Sequence, residues 1–163
     1  MYKFNFKDRV EINSTKDLSE GLFIWIWQAH KLPPHLGISQ NGKYYSLLYD
    51  RKQVALSIES QMEIIRRKKL SMIWQEITSE SKDLSDIFTN YTSCASDNSS
   101  CIQPILDGLE IKKKGGVLFD LLSDLSNHDT LGKALCLNLP YDFKGIKKYN
   151  RREVEMYLFK LLG

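Results

Sequence analysis

The sequence predicts an α+β fold: an antiparallel sheet from the N-terminal half, packed against helices drawn mainly from the C-terminal half. Three observations carry this expectation. The first half holds alternating or β-branched runs at Tyr2–Ile12, Leu22–Trp27 and on both sides of Asn41-Gly42. The second half holds apolar residues at helical spacing in the runs that start at Val117 and Arg151. Strands followed by helices are the pattern of an α+β protein. At 163 residues the chain fits one domain, 1–163, large enough to bury a single core without covalent staples.

Taken in order, Tyr2, Phe4 and Phe6 alternate with Lys3, Asn5 and Lys7, and this period of two predicts a strand reaching Ile12. The run "NSTKDLSEG" breaks it with turn and capping residues. "LFIWIW" then reads either as a buried strand or as the start of a buried helix, and its continuation into "QAHK" favours some helix there. "KLPP" ends that element, because a residue before proline is pushed out of the helical region. Asn41-Gly42 predicts a hairpin, since both residues tolerate the positive φ of a type I′ turn.

"SIESQMEIIRRKK" predicts an amphipathic helix with Ser57 as N-cap, Ile58, Met62 and Ile65 on one face, and basic residues at its negative pole. "LSMIWQEI" predicts a strand, and "SKDLSDIFTNY" a short helix with Leu84, Ile87, Phe88 and Tyr91 inward. "TSCASDNSS" reads as a polar loop. "CIQPILDGL" opens a helix, Pro104 being tolerated in a first turn. "KKKGG" reads as a turn, and the runs from Val117 to Asp129 and from Arg151 to Gly163 as helices. The stretch "LCLNLPYDFKGIKKY" between them reads as extended, with no element assigned.

Composition narrows the function. Hydrophobic content of 42% and charged content of 26% are those of an ordinary globular protein. A formal charge of +3 is too small to imply a nucleic-acid partner, and the basic clusters Arg66–Lys69, Lys112–Lys114 and Lys147–Arg152 read as solvated helix ends. The most apolar run, "GLFIWIW", is too short to span a bilayer. Three cysteines are an odd count, so reduced thiols are expected, and no secretory leader is apparent; both point to the cytoplasm. With no C-x-x-C, no H-x-x-x-H, no Walker loop and no Rossmann glycines, neither a metal nor a cofactor is expected.

Chemistry therefore falls to few residues. His35 stands at the start of the hairpin, and Cys101 where a polar loop gives way to an apolar run. A cysteine at a helix N-terminus has its thiolate stabilised by unpaired N–H groups and the helix dipole. A strand-borne imidazole opposite it completes a Cys–His nucleophilic pair, and helix-start N–H groups serve as oxyanion donors. The opposing reading is that Cys101 is a buried packing residue, as cysteines often are. His30 reads as packing against or capping the end of "WIWQA", His128 as a turn residue, Cys94 as a loop thiol or a redox partner of Cys101, Cys136 as core, and the three tryptophans as core.

The order of "LSEGLFIWIW", "PPHLGIS-QNG-KYYSLL" and "SSCIQPI" resembles that of the circularly permuted papain-like cysteine hydrolases, which include the lecithin retinol acyltransferase-like proteins and bacterial relatives. The resemblance covers roughly residues 18 to 110. It implies a hydrolase or acyltransferase acting on an amide, ester or thioester of a small molecule or peptide. Cys101 would be the nucleophile and His35 the general base and then acid. A third polar residue from the second hairpin strand, Ser46 or Tyr45, would orient the imidazole. Where the family has an asparagine before its cysteine, this chain has Ser100. The segments "LPPHLGIS-NGKYYSL" and "LNLPYDFKG" also look like those of small uncharacterised bacterial proteins, which implies no activity. The alternative functions are a non-catalytic module that holds a protein partner on the same scaffold, and a redox thiol protein in which Cys94 and Cys101 cycle.

Overall fold

The computed structural model describes residues 3–112 and 116–162. Most of the "KKKGG" turn and the first residue of the expected Tyr2–Ile12 strand lie outside the described residues. The chain is α+β: a large, mostly antiparallel sheet built chiefly by the N-terminal half, with helices mostly from the C-terminal half. Nine strands are described: β1 (Lys3–Phe4), β2 (Val10–Glu11), β3 (Leu22–Trp27), β4 (His35–Gln40), β5 (Lys43–Leu47), β6 (Lys52–Ser57), β7 (Met72–Ile77), β8 (Leu131–Leu137) and β9 (Ile146–Lys147). Six α-helices accompany them: α1 (Ile58–Lys68), α2 (Leu84–Thr89), α3 (Cys94–Asp97), α4 (Gln103–Gly108), α5 (Leu118–Asn127) and α6 (Arg151–Leu162).

Seven strands form one sheet in the order β2-β8-β7-β3-β4-β5-β6, and β1 pairs with β9 apart from it. Every pairing is antiparallel except β2 with β8. The hairpin joining β4 to β5 turns at Asn41 (φ 48°) and Gly42 (φ 83°), the two positive φ angles that a type I′ turn demands. Alternation along the strands divides the core between two faces. On one, Phe23, Trp25, Tyr44 and Trp74 pack against Ile58, Met62 and Ile65 of α1. On the other, Ile24, Ile26, Leu36, Ile38 and Leu47 pack against α2, α4 and α5. Ser57 caps α1, its hydroxyl accepting from the Glu59 N–H at 3.2 Å.

Three expectations change. The alternation from Tyr2 to Ile12 belongs to two short strands, not one. The chain turns at Asp8 (φ 50°), so β1 and β2 join different sheets, while Phe6 and Ile12 still point inward. "LFIWIW" is strand throughout, and the helix favoured at "QAHK" is a turn, with Gln28 at φ 51°. The polar loop 92–100 contains α3, capped by the Ser93 hydroxyl at its start and stopped by Asn98 in the left-handed region. The unassigned segment after Leu135 divides between the end of β8 and β9.

Gly37 on β4 lies beneath Tyr44, whose hydroxyl accepts from the Trp27 indole N–H at 2.8 Å. A Cβ at position 37 would overlap the Tyr44 ring and hydroxyl, both fixed in a buried aromatic cluster. Gly37→Ala is therefore expected to cost about 1–3 kcal/mol, as overpacking of a tight core does. The shift of the urea midpoint at unchanged slope measures it.

Candidate functional site

The site forms where β4 and β5 part. Their ladder runs from Gln40–Lys43 to Gly37–Ser46 and stops, while β4 stays paired with β3 through Leu36–Ile26 and His35–Trp27. The chain beyond β5 is held instead by α3. The Cys94 N–H donates to the Leu48 carbonyl at 2.8 Å, the Ala95 N–H to the Tyr49 carbonyl at 3.0 Å, and the Cys94 thiol to the Leu47 carbonyl at 3.5 Å. A turn then brings Cys101 back towards β4. The Cys101 sulfur faces the backbone N–H groups of Leu36 and of Cys101 itself.

Cys101 does not open a helix as expected. Helix α4 begins at Gln103, with Ile102 as N-cap and Pro104 in its first turn. The donors at the sulfur are a strand N–H and the cysteine's own N–H, so the field of α4 is not their source. Pro104, which has no N–H, falls at the second helical position, among the donors left unpaired at a helix start.

His35 and Cys101 line one cavity of about 180 Å³ together with Cys94, Ser100, Tyr149 and the apolar side chains of Leu36, Leu47, Ile102 and Val117. Val154 and Tyr157 of α6 complete its wall. It adjoins a larger groove of about 700 Å³, and the two share Tyr49, Cys94, Ser100, Gly116, Val117 and Val154. The groove carries Asp97, Asp107, Arg151 and Glu155.

Burial governs the ionisation of the site. It lowers His35 to about 4, so the imidazole is neutral near pH 7, and its Nε2 is enclosed without a hydrogen-bond partner. Burial pushes the Cys101 thiol up to about 11, against the smaller opposing effect of the Leu36 and Cys101 N–H groups. Cys94 is pushed up to about 12, first by burial and then by the neighbouring Cys101 and Asp97. Tyr149 is buried, raised for the same reason, and accepts from the Leu118 N–H at 3.3 Å.

The two hydroxyls expected to orient the imidazole are engaged elsewhere. The Tyr45 hydroxyl pairs with that of Ser85 on α2 at 3.0 Å. The Ser46 hydroxyl donates to Gln53 on β6 at 2.6 Å. Neither bonds to His35 Nε2. Cys94, read from the sequence as a loop thiol, lines the cavity with Cys101, as do Tyr149 and Val154, which sequence reasoning passed over. A signal for Cys94 was present: Ser93 followed by Ser96 and Asp97 is a helix-start pattern. Cys136 lies on β8, pairing with Ile73, outside this cavity. Among the described residues, no three His, Cys, Asp or Glu side chains are grouped to hold a metal ion, and no helix is long and apolar enough to cross a membrane.

No family model matches the chain, and no curated protein or solved structure matches it.

These ionisation states have measurable signs. A thiol titrating near 11 is far less ionised at pH 7 than an ordinary cysteine. Cys101 should therefore react with iodoacetamide about a hundredfold or more slower than free cysteine, accelerating only in strong alkali. Because His35 is lowered in the fold, the unfolded chain binds its proton first as pH falls. The melting temperature should thus decline as pH drops from 6.5 towards 4, with a shallower decline in His35→Gln.

Proposed function

We propose that the chain is a thiol-dependent acyl hydrolase or acyltransferase, with Cys101 as nucleophile and His35 as general base and acid. One observation carries the reading: one cavity is lined by His35 and by Cys101, whose sulfur faces two backbone N–H donors, and the buried His35 Nε2 has no partner. As substrate enters, His35 takes the thiol proton while the sulfur attacks an amide, ester or thioester carbonyl. The N–H groups of Leu36 and Cys101 then turn from the sulfur to the oxyanion. His35 protonates the leaving group. Water, or an acceptor in transfer, attacks the thioester, and the thiol regains its proton. Both partners rest neutral, so the proton moves with the attack instead of before it.

A second reading, a non-catalytic binding module, draws on the engagement of Tyr45 and Ser46 elsewhere, which leaves neither hydroxyl on His35 Nε2. Acylation by p-nitrophenyl butyrate separates the two. The hydrolase reading expects a butyryl group on Cys101 by mass spectrometry, absent in Cys101→Ala and formed at least about a hundredfold slower in His35→Ala. Its acid limb should lie near pH 4, where His35 ceases to be a base. A wild-type protein that gains no acyl group, or a His35→Ala protein that gains it undiminished, favours the binding module.

A further inference from the structure

Two sulfurs stand where the β4–β5 ladder stops. The last pair, Gly37–Ser46, makes Leu36 and Leu47 the next partners in register, and the ladder leaves them out. The Cys94 thiol donates to the Leu47 carbonyl at 3.5 Å, and the Cys101 sulfur faces the Leu36 N–H. All four residues line the same cavity. The chain between the cysteines folds back to allow this. Residues 95–100 separate them, Asn98 reverses direction at φ 48°, and the Ser99 N–H returns to the Cys94 carbonyl at 3.0 Å. An ionised Cys101 acts on Cys94 more strongly than Asp97 does, although Asp97 holds the neighbouring Ser93 N–H at 3.1 Å.

Both cysteines are free thiols. Two thiols on facing backbone groups, joined by a short loop, lose little entropy on being linked. When one of them carries a mixed disulfide, attack by the other is intramolecular and outruns a second small thiol from solution. Cys136 has no such neighbour: it lies on β8, paired with Ile73, and does not line this cavity. Burial holds Cys94 and Cys101 protonated near pH 7, so exchange is slow there and needs a sustained oxidising poise.

We propose that Cys94 and Cys101 form a reversible disulfide, closed by the disulfide of a small thiol such as oxidised glutathione, and that closure withdraws Cys101 from acyl chemistry. The second clause rests on Cys101 being the acyl acceptor; the first does not. One cysteine sulfur attacks oxidised glutathione, bonds to one of its sulfurs, and releases one reduced glutathione with the cysteine's proton. The other cysteine sulfur then attacks the first. The mixed disulfide breaks, and the second glutathione leaves with the remaining proton. The two cysteines are oxidised by two electrons and glutathione disulfide is reduced to two thiols. Excess reduced glutathione runs the same steps backwards.

The test incubates the full chain with oxidised glutathione in mildly alkaline buffer until its mass spectrum stops changing, then alkylates the remaining thiols. The expected end state is a Cys94–Cys101 link within one chain, two hydrogens lighter and carrying no glutathione at either residue. Reduction should return both thiols. In Cys101→Ser the glutathione should stay on Cys94, because its displacing partner is gone. Free thiols, lasting glutathione adducts at Cys94 or Cys101, or a link between two chains overturn the proposal. The linked protein should lose at least about nine-tenths of its butyryl uptake from p-nitrophenyl butyrate and regain it on reduction. Undiminished uptake by the linked protein overturns the regulatory clause. A reduced wild type that takes up no butyryl overturns the acyl-transfer reading and leaves the disulfide standing.

Discussion

The β4–β5 ladder stops at Gly37–Ser46, and the geometry of the site depends on that stop. A strand left unpaired beside the core exposes N–H and carbonyl groups that need partners. Here the carbonyls beyond β5 are taken by the first N–H groups of α3, and the Leu36 N–H faces the Cys101 sulfur. One short helix thus both props the strands apart and leads the chain back to place the cysteine. Gly37 sits at the last ladder pair, where the absence of a side chain lets Tyr44 lie across β4.

Burial then sets the chemistry. Both side chains are buried among apolar neighbours, which penalises charge on the imidazole and on the thiol alike. A preformed thiolate–imidazolium pair is the opposite arrangement, and it needs charges or dipoles that this pocket does not supply at the sulfur beyond two N–H groups. The resting protein therefore holds both thiols of the cavity protonated. That protects Cys94 and Cys101 from adventitious oxidation, which proceeds through the thiolate.

Much of the architecture was legible in the residues because pattern and packing agreed. The Asn41-Gly42 turn was legible in local propensity alone, and the capped helix after Ser57 was written twice, once in its N-cap and once in the apolar face it buries. Where the two parted, reading failed. The alternation of the first twelve residues survives as burial of Phe6 and Ile12, but a turn at Asp8 that no glycine or proline marks divides it. That His35 and Cys101 line one cavity agrees with their order along the chain. The engagement of Tyr45 with Ser85 and of Ser46 with Gln53 was not legible, because those partners come from α2 and β6 and are set by packing.

The position of β8 has a consequence of its own. The strands β3 to β6 are joined in sequence by short connections, with β7 added against β3. The outer side of β7 is covered only when β8 arrives, after four intervening helices. Until then β7 is an open edge carrying Met72, Ile73 and Trp74, all fully buried in the finished protein. Such an edge is a template for pairing with another chain. During synthesis the sheet is therefore adhesive until residue 137 has emerged, and a chain cut off after α5 is directed towards aggregation, not towards a smaller folded protein.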